Sequence, residues 1–159
     1  YDALYRPEGD TTWRPLRRGL WDPIFVWDTT SVPDGTYIVK IAASDAPSNS
    51  PGTALTGELE STSFDIDNSP PRIEIKPPAK PGSRALSFVV RDEHSAVQRV
   101  EYSLDASRWR IVYPKDGIPD SRQEEFEVPL DESETGRNVI IRATDAMNNI
   151  ATAVSEVRR

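Results

Sequence analysis

The sequence has no cysteine, one histidine and one methionine among its 159 residues. The missing cysteine excludes disulfides, thiolate catalysis and cysteine-ligated metals together, so the chain must be held by burial alone. No apolar stretch approaches the length of a membrane-spanning helix, and no window of about twelve residues keeps a helical apolar period. Positive charge is also short. Nineteen Lys and Arg face 26 Asp and Glu, for a net charge of −7 and a sequence pI near 4.8. Such a surface repels phosphate backbones and anionic lipid. The expectation is therefore no nucleic-acid partner and no membrane insertion.

The residues that are present point to an all-β chain. Hydrophobic residues make up 36% of the sequence, enough for small cores but lean for one large one. Fourteen prolines and eight glycines interrupt it, and the runs between them are short and alternate apolar with polar, the pattern of half-buried strands.

An internal repeat organises the chain. Ala43-Ser44-Asp45-Ala46-Pro47-Ser48-Asn49 returns as Ala143-Thr144-Asp145-Ala146-Met147-Asn148-Asn149. Each copy follows an alternating strand, with Val39, Ile41 and Ala43 on one face in the first and Val139, Ile141 and Ala143 in the second. Upstream, Phe25-Val26-Trp27 lies twenty residues before Asp45, and Phe126-Glu127-Val128 lies nineteen before Asp145. Tyr5 and Trp13 flank one turn, Tyr102 and Trp109 another.

Pro70 and Pro71 mark a join, because proline cannot donate to a ladder and stiffens the chain. The expected modules are 1–69 and 70–159. The second takes seven strands, at 72–76, 85–91, 99–104, 108–112, 124–130, 138–144 and 150–157, with Leu86, Phe88 and Val90 facing inward. In the first, the opening residues align with the third strand of the second. The repeat thus predicts a first module lacking its first two strands, completed by residues upstream of Tyr1 or covered at an open edge by another copy.

Asp34-Gly35-Thr36-Tyr37-Ile38-Val39-Lys40-Ile41-Ala42-Ala43 resembles the late strand of fibronectin type III domains. The resemblance puts Tyr37 at the tyrosine corner, its hydroxyl bonded back to backbone. The second copy, Gly136-Arg137-Asn138, carries no tyrosine there. The Asp-Ala-x-x-Asn turn and the join Asp67-Asn68-Ser69-Pro70-Pro71 are similar to those of bacterial immunoglobulin-like modules. The resemblance implies two tandem immunoglobulin-like (fibronectin type III-like) β-sandwiches of an exported bacterial protein, extracellular or in the cell envelope, with the export signal upstream. The absent cysteine, and the absence of any Asn-x-Ser/Thr site, agree with a bacterial origin. The function it implies is that of a non-catalytic spacer or protein-interaction module whose partners are neighbouring domains of the parent chain. The alternative is an accessory module that binds carbohydrate or another surface polymer. A sandwich fixes the fold and leaves the ligand open.

Catalysis finds little in the residues. His94 sits in the turn Asp92-Glu93-His94-Ser95, and no nucleophile elbow accompanies it. No cofactor is called for. Among small ligands, calcium fits best, because it takes six to eight oxygens from carboxylates, carbonyls and amides. Asp65, Asp67 and Asn68 at the join resemble in part the calcium linker of cadherin-like proteins, and Asp92 could converge on them. The competing reading makes Asp67 and Asn68 turn formers that cap local backbone. Asp45/Asn49 and Asp145/Asn149 read as loop closers by side-chain to backbone bonds. Trp13 and Trp109 occupy equivalent positions and read as core, and Trp27 reads as part of a strand. Trp21, between Gly19-Leu20 and Asp22-Pro23, reads as the exposed aromatic a sugar ring could stack on. The stretch from Pro47 to Glu60 reads as an inserted loop, either a binding loop or one pinned by Leu55.

Overall fold

The alternating runs become strands throughout. The computed structural model describes residues 1–50, 52–78, 80, 83–134 and 137–156. Among these it has twelve strands and two short 3-10 turns, at Thr29–Ser31 and Ala46–Ser48. The chain divides into two compact units, Tyr1–Ile66 and Asp67–Arg159.

The second unit holds β6 (Arg72–Ile75), β7 (Ala85–Arg91), β8 (Val97–Ser103), β9 (Arg110–Val112), β10 (Gln123–Pro129), β11 (Asn138–Asp145) and β12 (Ile150–Glu156). They form two antiparallel sheets, ordered β10-β7-β6 and β12-β11-β8-β9. Alternation decides what goes inside. Leu86, Phe88 and Val90 of β7 are all buried, as expected, and pair across the ladder with Val128, Phe126 and Glu124 of β10. The Phe88 and Phe126 rings stack with centroids 5.2 Å apart. Val100, Val139, Ile141 and Ala143 join them from the other sheet, so the two sheets share one core, the arrangement of a β-sandwich. Each Val, Leu, Ile or Phe among them contributes about 1.5–3 kcal/mol on burial. Glu124, opposite Val90, is a charged residue buried at the edge of this core. Its Oε1 accepts the backbone N–H groups of Asp120 and Ser121, which satisfies the carboxylate locally.

All seven expected strands form, with ends moved by up to two residues. The strand expected at 108–112 begins at Arg110 because Asp105 Oδ1 accepts the N–H groups of Ser107 and Arg108, holding those amides in the turn. The strand expected at 99–104 reaches back to Val97, which is fully buried and pairs with Asp145 across a bulge.

The first unit holds β1 (Asp2–Pro7), β2 (Arg14–Arg17), β3 (Gly35–Ser44), β4 (Thr56–Glu60) and β5 (Phe64–Ile66) in a single antiparallel sheet. Its path β2-β1-β3-β4 matches β9-β8-β11-β12 strand for strand, and β5 also pairs with β3. Two expectations fail here. Phe25-Val26-Trp27 forms no strand. Pro23 brings no donor to the start of the run, and Asp28 ends it by accepting the Thr30 N–H and hydroxyl to cap a 3-10 turn. The end of the expected loop from Pro47 to Glu60 is a strand, because Thr56–Glu60 pairs with Lys40–Ser44. Leu55 pins nothing. It is 72% exposed, and its contribution is a backbone N–H donated to Asp45 Oδ1 at 2.7 Å.

Candidate functional site

Topology brings three loops of the second unit to one end of it. β7 runs antiparallel to β6, and β11 antiparallel to β8, so the residues before β6, after β7 and at the end of β11 gather together. Each supplies an aspartate. Oxygens of Asp67, Asp92 and Asp145 lie within 4.8 Å of one another, and all three residues are buried, Asp145 completely. Asp92 Oδ1 accepts from the backbone N–H groups of His94 and Ser95, at 2.8 and 2.7 Å. Asp145 Oδ1 accepts from Met147 and Asn149, and its Oδ2 accepts from the Asn149 side-chain amide at 2.9 Å. That amide also donates to the backbone carbonyl of Asp67, which ties the β11–β12 turn to the start of the unit. Asp67 Oδ1 accepts from Ser69, while its Oδ2 is buried and has no hydrogen-bond partner. The cluster offers carboxylate oxygens and no nitrogen or sulfur, the donor set of a hard cation.

Of the four aspartate and asparagine candidates, Asp67 and Asp92 enter this cluster. Asp65 belongs to the first unit, where its Oδ1 accepts the Thr36 hydroxyl at 2.7 Å. Asn68 lies beside Asp67 and has an interaction of its own. Asp145 was legible as a loop closer and does close its loop. Its part in the cluster is the piece that sequence reasoning missed, because strand ranges alone do not say which ends meet, and it is the pairing of β11 with β8 that brings Asp145 to the end of β7. The repeat copy does less. Asp45 Oδ1 accepts the Leu55 N–H, and Asn49 donates to the Asp45 backbone carbonyl.

A second feature lies on the first unit. Ala3, Leu16, Leu20, Phe25, Trp27 and Ile41 line a groove of about 500 Å³, with Asp22 at its margin. Behind it, Trp27 packs against Tyr5, Tyr37 and Phe64 with centroids 5.1, 6.2 and 6.4 Å away. Tyr37 is buried, and its hydroxyl donates to the Pro33 carbonyl at 2.6 Å. Burial pushes its phenol above the ordinary value, helped by neighbouring Tyr5. Large apolar side chains also stand in the open on this unit: Trp21 at 81%, Ile24 at 79%, Val26 at 85% and Leu59 at 78% exposure.

Trp13 and Trp109 are not core residues. Both are half-buried under cations, with Arg6 and Lys40 each 4.8 Å from the Trp13 ring and Arg142 4.1 Å from Trp109. Arg142 reaches further to Glu101, a buried carboxylate, at 2.7 Å. His94 is exposed on its turn.

Strands, sheets and core together define an all-β protein of antiparallel sheets, compatible with a β-sandwich. No family model, curated protein or solved structure matches the chain.

Proposed function

We propose that the chain is a pair of immunoglobulin-like, fibronectin type III-like modules of an exported bacterial protein, working without catalysis as a spacer and protein-interaction module. Two observations support the family reading. The order β6-β7-β10 facing β9-β8-β11-β12 is a seven-strand sandwich in which the fourth strand has joined the second sheet. The Tyr37 hydroxyl bonds to backbone four residues upstream, as a tyrosine corner does. A structural module needs no cofactor.

The apolar groove on the first unit carries the interaction reading. A monomeric surface rarely leaves aromatic and aliphatic side chains contiguous and open unless another surface covers them. The acidic charge of the chain turns away nucleic acid and anionic lipid, which leaves a protein surface, a neighbouring domain or a second copy as occupant. Ile41, at 38% exposure on β3, projects into the groove and tolerates substitution without a buried cavity. The expected outcome is that the wild-type chain binds an apolar dye or associates with rising concentration in sedimentation velocity, and that Ile41→Glu abolishes both. A chain that does neither, and instead binds immobilised polysaccharide in a manner lost on Trp21→Ala, would replace this reading with the carbohydrate one. The near-complete exposure of Trp21 is what keeps that second reading in play.

A further inference from the structure

We propose that Asp67, Asp92 and Asp145 form a calcium site at one end of the second unit. Three buried carboxylates with oxygens within 4.8 Å of one another repel each other strongly where water is excluded. Among the described residues no arginine or lysine pairs with them. Basic side chains around the cluster are directed elsewhere: Arg91 pairs with Glu74, Arg142 with Glu101, and Arg122 donates to the Glu93 carbonyl. Backbone amides compensate one oxygen each of Asp92, Asp67 and Asp145, and the Asn149 side-chain amide takes the second oxygen of Asp145, but all these donors are neutral. Asp67 Oδ2 is the independent sign. It belongs to a residue 7% exposed, and it has no hydrogen-bond partner at all. A buried carboxylate oxygen left in that state costs free energy unless a cation completes it.

The donors select the ion. Oxygen-only ligation disfavours zinc, copper and iron and favours calcium or magnesium. Calcium holds oxygens at about 2.3–2.6 Å, so oxygens on opposite sides of it stand about 4.6–5.2 Å apart, whereas magnesium draws them to about 4.1 Å. Three buried carboxylates with oxygens no more than 4.8 Å apart form the all-protein cage that calcium takes and that magnesium, which keeps several waters, seldom does. The three loops then act as jaws: the ion ties the start of the unit to the ends of β7 and β11, adding to the link that Asn149 already makes to the Asp67 carbonyl.

The test is thermal unfolding after removal of divalent ions, repeated with calcium and with magnesium at matched ionic strength. Mass action at a hundredfold excess over Kd should raise the unfolding midpoint of the second unit by about 10–20 °C in calcium. The rise in magnesium should be less than half of that. Asp67→Asn keeps an oxygen for the Ser69 N–H and removes the charge. It should fold as the wild type does, lose the calcium-dependent rise, and weaken calcium binding at least tenfold by calorimetric titration. Asp45→Asn, on the other repeat copy, should leave the rise intact. The proposal is overturned if calcium gives neither heat nor a shift, if magnesium does as well as calcium, or if the shift survives Asp67→Asn. It is equally overturned if Asp67→Asn raises the midpoint by the same amount with and without calcium, which would mean that the cluster is relieved by neutralisation alone.

Discussion

At the residue scale, the informative positions are those where one side chain answers to its backbone. Tyr37 is the clearest. The fibronectin type III resemblance implied a hydroxyl bonded back to backbone, and the structure buries the residue and gives the bond to Pro33. Tyr37→Phe should cost about 1 kcal/mol of first-unit stability in denaturant titration, the usual net worth of such a hydrogen bond. The same residue sets an alkaline limit. Its phenol is raised above the ordinary 10.0 by burial, so the folded state favours the neutral form. That contribution is complete below pH 10.0 and is lost as pH climbs through the higher folded value. Wild-type stability should therefore fall more steeply above that pH than the stability of Tyr37→Phe does. Asp105 shows the opposite sign. Backbone N–H groups of Arg108 and Ser107 hold its carboxyl below the carboxylate range, so its contribution persists into acid. Asp105 could be read from sequence as a turn former. The cation stacking of Trp13 and Trp109 could not, because equivalent repeat positions suit a shared surface stack as well as a shared core, and Arg142 lies over thirty residues from Trp109.

At the scale of elements, the period-2 pattern located the strands well where both neighbours in the sheet are local or repeated. It failed at Phe25-Val26-Trp27, whose apolar character is real but has no described strand to pair with. A strand needs a partner as well as a pattern, and one segment of sequence specifies only the pattern. Where partners exist, the burial is costly to lose. Phe88 is 1% exposed and stacks on Phe126, so Phe88→Ala should cost about 3–5 kcal/mol, read as an earlier denaturant midpoint of the second unit with its m-value unchanged. The β11–β12 turn makes a finer test. Asn148 sits at φ 68°, a left-handed conformation that a β-branched residue resists, and its side chain is exposed. Asn148→Val should cost about 1–3 kcal/mol, while Asn148→Gly should stay within about 0.5 kcal/mol of wild type. The comparison isolates backbone conformation, since neither change removes a buried contact.

For the whole molecule, the two units differ in how they are held. Among the described residues, the buried hydrophobic side chains are Ala3, Tyr37 and Ile66 in the first unit and twelve in the second. The first unit has one sheet and an open groove, while the second has two sheets around one core. Domain stability follows the apolar area removed from water, so a unit with three such residues sits well below one with twelve. Unfolding should accordingly occur in two steps, the first unit melting at lower denaturant. Tyr37→Phe should move only the first step and Phe88→Ala only the second, and hydrogen exchange should show β3 opening before β11. A partner seated on the groove would raise the first step alone, because a ligand stabilises only the unit that binds it. Calcium would raise the second alone. A single coincident transition that both substitutions shift together would mean that the units are coupled, and the separate assignment of groove and cation site to independent halves would then fail.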